Sequence, residues 1–223
     1  MFHHKHPYKP FNLENATKLI VGTLPPPRFT SRELLIDDVD FCYGSRNGML
    51  WPILDKMFDL NLLYDNSDAA VQQRYDFLID RKIGICDVVN SARRDKIDAS
   101  DLGMQEVELR PLIKYLQEYP QIDTLLFTGG NSKNGPEYFF RRLAKKHNIS
   151  LKAVNKGVPR VHQFQLPEAK NPSRIITTVS LTAPSGAANR AIGSMALYKK
   201  IKDEDPEFTT FDFRVMQYRP FFE

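Results

Sequence analysis

Three stretches of this chain carry side chains that bind planar rings, water and anions. The first is Gly22, Thr23, Leu24, Pro25 and Pro26, resumed across residues 41–51, which include Tyr43, Asn47, Gly48 and Trp51. The second is Gly84, Ile85, Cys86, Asp87, Val88 and Val89, with a polar run at 90–101 behind it. The third spans residues 179–190 and contains Pro184, Ser185, Gly186 and Arg190. Tyr43 offers an aromatic face, or else a core ring with a bonded hydroxyl. Asn47 offers a carboxamide that orients a water, or else caps a turn. In the third stretch, small side chains and free amides let a phosphate approach closely, and a following helix N-terminus favours its charge. Ser185 serves equally as the N-cap of that helix. Arg190 is either a phosphate ligand or a plain surface arginine.

These residues need elements to position them. Apolar runs at 19–21, 83–89, 123–128 and 174–179 read as buried strands. Helical patterns occupy 50–58, 68–81, 108–119, 136–147 and about 187–202. Short, nearly continuous apolar strands alternating with helices predict a three-layer α/β/α sandwich with a central four-stranded parallel sheet. Ligands of such sheets sit beyond the carboxyl ends of the strands, and each of the three stretches follows a predicted strand. Segment 150–166 is less clear, and 211–218 is read as an added edge strand. One domain is expected over 1–223, with a core at about 17–203 and a C-terminal extension at 204–223.

Composition limits the partners. The 223 residues carry a net charge of +4, with 42% hydrophobic residues and an isoelectric point near 9.0. The balance leans toward a polyanion, and Arg93, Arg94 and Lys96 form a cluster able to track phosphates. Arg141, Arg142, Lys145 and Lys146 read as a solvated helix face. No apolar run approaches the roughly 18 residues of a membrane span. The two cysteines, Cys42 and Cys86, are too few for a disulfide framework or a four-thiolate cluster. His3, His4 and His6 lie together near the N-terminus without an evident carboxylate or thiolate partner and read as a mobile tail. His162 has no obvious partner either. The expectation is a soluble, cytoplasmic monomer that uses no metal and no cofactor.

Taken together and in order, the three stretches resemble the uracil-DNA glycosylase superfamily, closest to its hypoxanthine and mismatch-specific uracil branches. The resemblance spans roughly residues 19–190. It rests on a Gly-x-x-Pro turn at Gly22, an Asn-containing segment ending at Trp51, a Gly-Ile-Cys-Asp-Val-Val strand and a Pro-Ser loop at Pro184. It implies base excision from DNA, the partner: a deaminated base, hypoxanthine or uracil, is flipped from the helix and its N-glycosidic bond hydrolysed. Gly22 and Thr23 then supply amides for the base anion, Tyr43 stacks on the base, and Asn47 holds the attacking water. Pro184, Ser185 and Gly186 form the loop that enters the DNA groove, with Arg190 behind it. Asp87 is structural, bonding nearby loop amides, and Trp51 anchors the following helix. Many relatives carry Asn or Asp inside the first turn, where this chain has Leu24, so the water-handling role passes to Asn47. Gly48, Met49 and Leu50 replace a bulkier pair before the Trp, and 31–40 and 152–171 are longer than in compact relatives. The alternative is a diverged, non-catalytic nucleic-acid-binding member of the same fold.

Overall fold

The computed structural model describes residues 1–167 and 173–223; the last part of the long segment 152–171 therefore lies outside the described residues. In chain order the strands are β1 (Phe2–Lys5), β2 (Lys18–Val21), β3 (Ile83–Ile85), β4 (Val89–Arg94), β5 (Gln105–Leu109), β6 (Thr124–Phe127), β7 (Lys152–Asn155), β8 (Arg160–Leu166) and β9 (Arg174–Ser180). The helices are α1 (Pro27–Ser31), α2 (Leu50–Phe58), α3 (Asp68–Asp80), α4 (Leu112–Glu118), α5 (Pro136–Lys146), α6 (Asn189–Gly193), α7 (Ala196–Glu204) and α8 (Thr210–Phe222).

The main sheet has six strands in the order β3-β2-β6-β9-β8-β7. The pairs β2–β3, β2–β6 and β6–β9 are parallel, whereas β8 runs antiparallel to β9 and β7 antiparallel to β8. The expectation of a four-stranded parallel sheet is therefore corrected to a mixed, six-stranded one. The extra strands come from residues 150–166. There β8 buries His162, Phe164 and Leu166 in alternation while β7 is exposed throughout. A tight antiparallel hairpin adds to the β9 edge without the crossover that a parallel strand requires.

Alternation along the parallel strands divides the core between two faces. Leu19 and Val21 of β2, with Leu125 and Phe127 of β6, pack with Leu112 and Leu116 of α4 and Phe139 and Phe140 of α5. Ile20, Leu126 and Val179 point the other way, into Trp51 and Leu54 of α2, Phe77 and Leu78 of α3, and Tyr218 and Phe222 of α8. Trp51 is buried, and its indole N–H donates to the Cys42 carbonyl at 2.8 Å. The start of α2 is thereby fixed against the segment before it.

Further expectations are corrected. The apolar run at 83–89 is not one strand: the chain leaves the main sheet after Ile85 and enters a second, three-stranded antiparallel sheet, β1-β4-β5. Its first strand is the supposed N-terminal tail, in register from Phe2 opposite Arg94 to Lys5 opposite Ser91. The helix read at 108–119 begins only at Leu112, because β5 runs to Leu109 and Pro111 precedes the first turn. The helix read at 187–202 is broken between α6 and α7, where Met195 takes an extended conformation. The segment at 211–218 is the interior of α8 rather than an edge strand. A capping box holds that helix's start: the Thr209 hydroxyl accepts from the Asp212 amide, and the Asp212 carboxylate accepts from the Thr209 amide.

Candidate active site

At the carboxyl ends of the parallel strands lies a cleft of about 340 Å³, within the range of small-molecule sites. Its floor is organised by Asp87, where the chain passes from one sheet to the other. Asp87 Oδ1 accepts from the Gly22 amide at 2.6 Å and the Tyr43 hydroxyl at 2.8 Å, and Oδ2 meets His6 Nε2 at 2.9 Å. The Tyr8 amide donates to His6 Nδ1 at 3.2 Å, so the network assigns the hydrogen to Nε2. Burial works against charge on Asp87, but hydrogen bonds from His6 and Tyr43 and the Arg110 charge outweigh it and hold its carboxyl below the usual range.

Gly22 is required here by close approach: a Cβ would lie 2.3 Å from the Tyr43 hydroxyl and 2.9 Å from Asp87 Oδ1. The Gly22 amide donates to Asp87 Oδ1. Among the described residues the neighbouring Thr23 amide makes no hydrogen bond. Tyr43 adopts φ 60°, an uncommon conformation for a bulky residue. Its hydroxyl also contacts Thr128 Oγ1 at 3.2 Å, and burial raises its pKa. A hydrogen-bonded tyrosine and a cleft-lining aromatic are thus one residue.

The cleft wall joins the first and third stretches. The Met49 amide donates to the Pro184 carbonyl at 2.9 Å, and Gly48 forms an antiparallel bridge with Ser185. This places Asn47, Pro184 and Ser185 along one side of the opening. Asn47 is exposed, and among the described residues its carboxamide makes no hydrogen bond; only its backbone amide does, to Ser45 Oγ at 3.4 Å. Arg28 braces the bend by donating to both Asp38 oxygens and to Ser45 Oγ. Ser185 precedes the short turn Gly186–Ala188 and makes no side-chain cap. Gly186 and Arg190 are exposed beyond it, outside the cleft lining. The helix that follows is only Asn189–Gly193, too short for the dipole argument to carry much.

No family model and no curated protein matches the chain. A solution structure from Methanosarcina acetivorans, provisionally assigned as a uracil DNA glycosylase, aligns over 95% of this chain and 98% of its own at 17% identity, with a TM-score of 0.53. The chain has a uracil-DNA-glycosylase-like fold. At that identity the likeness establishes the mixed α/β architecture alone. Among the described residues no helix is long and apolar enough to cross a membrane, and no group of three or more His, Cys, Asp or Glu side chains is placed to hold a metal.

Two cleft residues of this glycosylase-like fold escaped the sequence reading. His6 follows directly on β1, a strand that lacks the β-branched residues that signal one. Asp101 arrives on the loop between β4 and β5, and Thr23 Oγ1 donates to its Oδ1 at 2.8 Å. Burial pushes the Asp101 carboxyl up to about 6, opposed by the Thr23 hydrogen bond and the Arg94 charge and aided by Asp87. The polar run at 90–101 was the available signal, but no spacing singled out its last residue.

Proposed function

We propose that this protein is a DNA glycosylase that hydrolyses the N-glycosidic bond of a flipped deaminated base, hypoxanthine or uracil. The observation that carries the reading is the convergence of Thr23, Tyr43, Asn47, Pro184 and Ser185 on one cleft. A base inside a duplex is out of reach, and extruding it costs a few kcal/mol. In the proposed complex the base enters the cleft against Tyr43, a stacking contact worth roughly 1–3 kcal/mol. Breaking the bond leaves negative charge on the base and positive charge on the sugar. The Thr23 amide faces the first, and the Asn47 carboxamide orients the water that meets the second. Donors fixed before the reaction starts need no rearrangement as charge develops. The loop at Pro184, Ser185 and Gly186 lies beside Asn47, where the DNA backbone would pass, with Arg190 behind it.

Oligonucleotides carrying uracil, hypoxanthine or xanthine, paired and unpaired, test the reading when treated with alkali after incubation to reveal abasic sites. Base release is expected from at least one. A protein that binds these strands and releases nothing is instead the non-catalytic alternative. Asn47→Ala should reduce single-turnover release by about 10²-fold, the scale seen when a preorganised polar group is lost, with DNA affinity nearly unchanged. Release at the parental rate would reduce Asn47 to a turn residue.

A further inference from the structure

An amide orients a water but does not take its proton, so a cleft with Asn47 alone lacks a proton acceptor. Two carboxylates line the cleft, Asp87 and Asp101. Asp87 is buried and already bonded through both oxygens, by Gly22 and Tyr43 on Oδ1 and His6 on Oδ2. Asp101 accepts from Thr23 through Oδ1, and among the described residues nothing bonds to its Oδ2. Its backbone is nonetheless firmly held. Asn134 Nδ2 donates to the Asp101 carbonyl at 2.9 Å, and so does the Met104 amide at 3.1 Å. Buried Arg94 donates to the neighbouring Ser100 carbonyl at 2.5 Å and to His4 Nδ1 at 2.8 Å. Strands β1 and β4 and the loop after β6 thus fix a half-open carboxylate over a cleft that the main sheet builds.

We propose that Asp101 is the general base of the hydrolytic step, an inference that rests on the glycosylase reading. As the glycosidic bond breaks, its electron pair leaves on the base nitrogen. The water oxygen bonds to the sugar C1′, Asp101 takes the proton that this water loses, and the departing base is protonated from solvent.

The surroundings favour that role. Arg94 and Asp98 of the same hairpin, Asp87 after β3, His6 just after β1, and Arg28 and Tyr43 on the cleft wall are the charged and titratable groups around it. A carboxyl pushed up to about 6 is ionised at neutral pH yet basic enough to accept a proton in the transition state. A base works only when deprotonated, so the rate should rise with pH up to about 6 and level off above it.

Asp101→Asn retains the size and the acceptor for Thr23 and removes the titration. Single-turnover release by the parental protein is expected to climb through pH 6 to a plateau. The variant should lie about 10²-fold lower at pH 7.5, on the scale of general-base loss, with no inflection near 6. Thr23→Val removes a bond that favours the charged carboxylate, so its midpoint should move to higher pH. A binding measurement needs no turnover: an oligonucleotide with a cationic pyrrolidine in place of the sugar should gain affinity between pH 5 and 7.5 relative to a neutral abasic analogue, and the gain should vanish in Asp101→Asn. An active parental protein whose Asp101→Asn variant keeps both rate and pH profile overturns the general-base role alone. A parental protein that releases no base from any oligonucleotide overturns the glycosylase reading, and this role with it.

Discussion

At the scale of single residues, Asp87 has the most demanding surroundings. Three donors converge on its two oxygens, and the chain changes sheets beside it. Asp87→Asn would turn an N–H₂ group toward either His6 Nε2–H or the Gly22 and Tyr43 donors. His6 cannot switch tautomer freely, because Nδ1 already accepts from Tyr8. One buried donor is left facing another, and the expected loss is about 1–3 kcal/mol, measured by urea unfolding at neutral pH. The sign of the pH dependence follows from the depressed folded pKa. The stabilisation is complete above the unfolded value near 3.9 and is lost as pH falls through the lower folded value. The parental protein should therefore lose more stability on acidification than Asp87→Asn does. Equal stabilities across that range would refute the network's energetic role. The structural part assigned to Asp87 was legible from its place at a strand end. Its link to His6 was not, because it joins positions 81 residues apart.

Among the elements, α8 determines the position of the small-residue loop. Arg214, fully buried, donates to the carbonyls of Ala183 at 3.0 Å, Ser185 at 2.7 Å and Thr210 at 3.0 Å. Gln217 Oε1 accepts from the Thr182 amide, and the Tyr218 hydroxyl donates to the Thr182 carbonyl. One helix face thus sets the path of residues 182–185, which in turn hold Met49 beside Asn47. Arg214→Met fills similar space but leaves these carbonyls without their donor. A loss of about 1–3 kcal/mol is expected, together with lower affinity for DNA, since the loop proposed to meet the backbone is freed. Unchanged melting and unchanged DNA binding would show that the loop holds itself. The sequence pointed elsewhere for this segment. Alternating Phe211, Phe213 and Val215 suggested a strand, although Thr209 and Asp212 already had the spacing of a capping box. A helix packed on α2 with one face and clamped to a loop with another presents no simple apolar stripe, so periodicity misreads it. The parallel strands were easier to read, being short apolar runs buried on both faces.

For the molecule as a whole, the excess charge of +4 overstates what is free to meet the proposed DNA partner. Three of the residues in the basic clusters read from the sequence already have partners within the chain. Arg94 is buried against His4 and Ser100. Arg93 pairs with Glu106 at 3.0 Å. In the other cluster, Arg141 is tied to Glu137 and His162. Arg190, exposed just after the Pro184 and Ser185 loop, is the cation proposed to meet the backbone there. The electrostatic part of DNA affinity should accordingly be shallow. With two or three phosphates neutralised, log K should fall with log salt at a slope of about −2 to −3. Arg190→Ala should weaken binding to every sequence by a similar factor and flatten that slope by about one. Base release at saturating DNA should stay near the parental rate, because the side chain lies outside the cleft. Fluorescence anisotropy across a salt series, with uracil-containing and undamaged duplexes, measures both quantities. Affinity that ignores salt, or an Arg190→Ala protein with the parental slope, would move the DNA path away from α6 and onto another face.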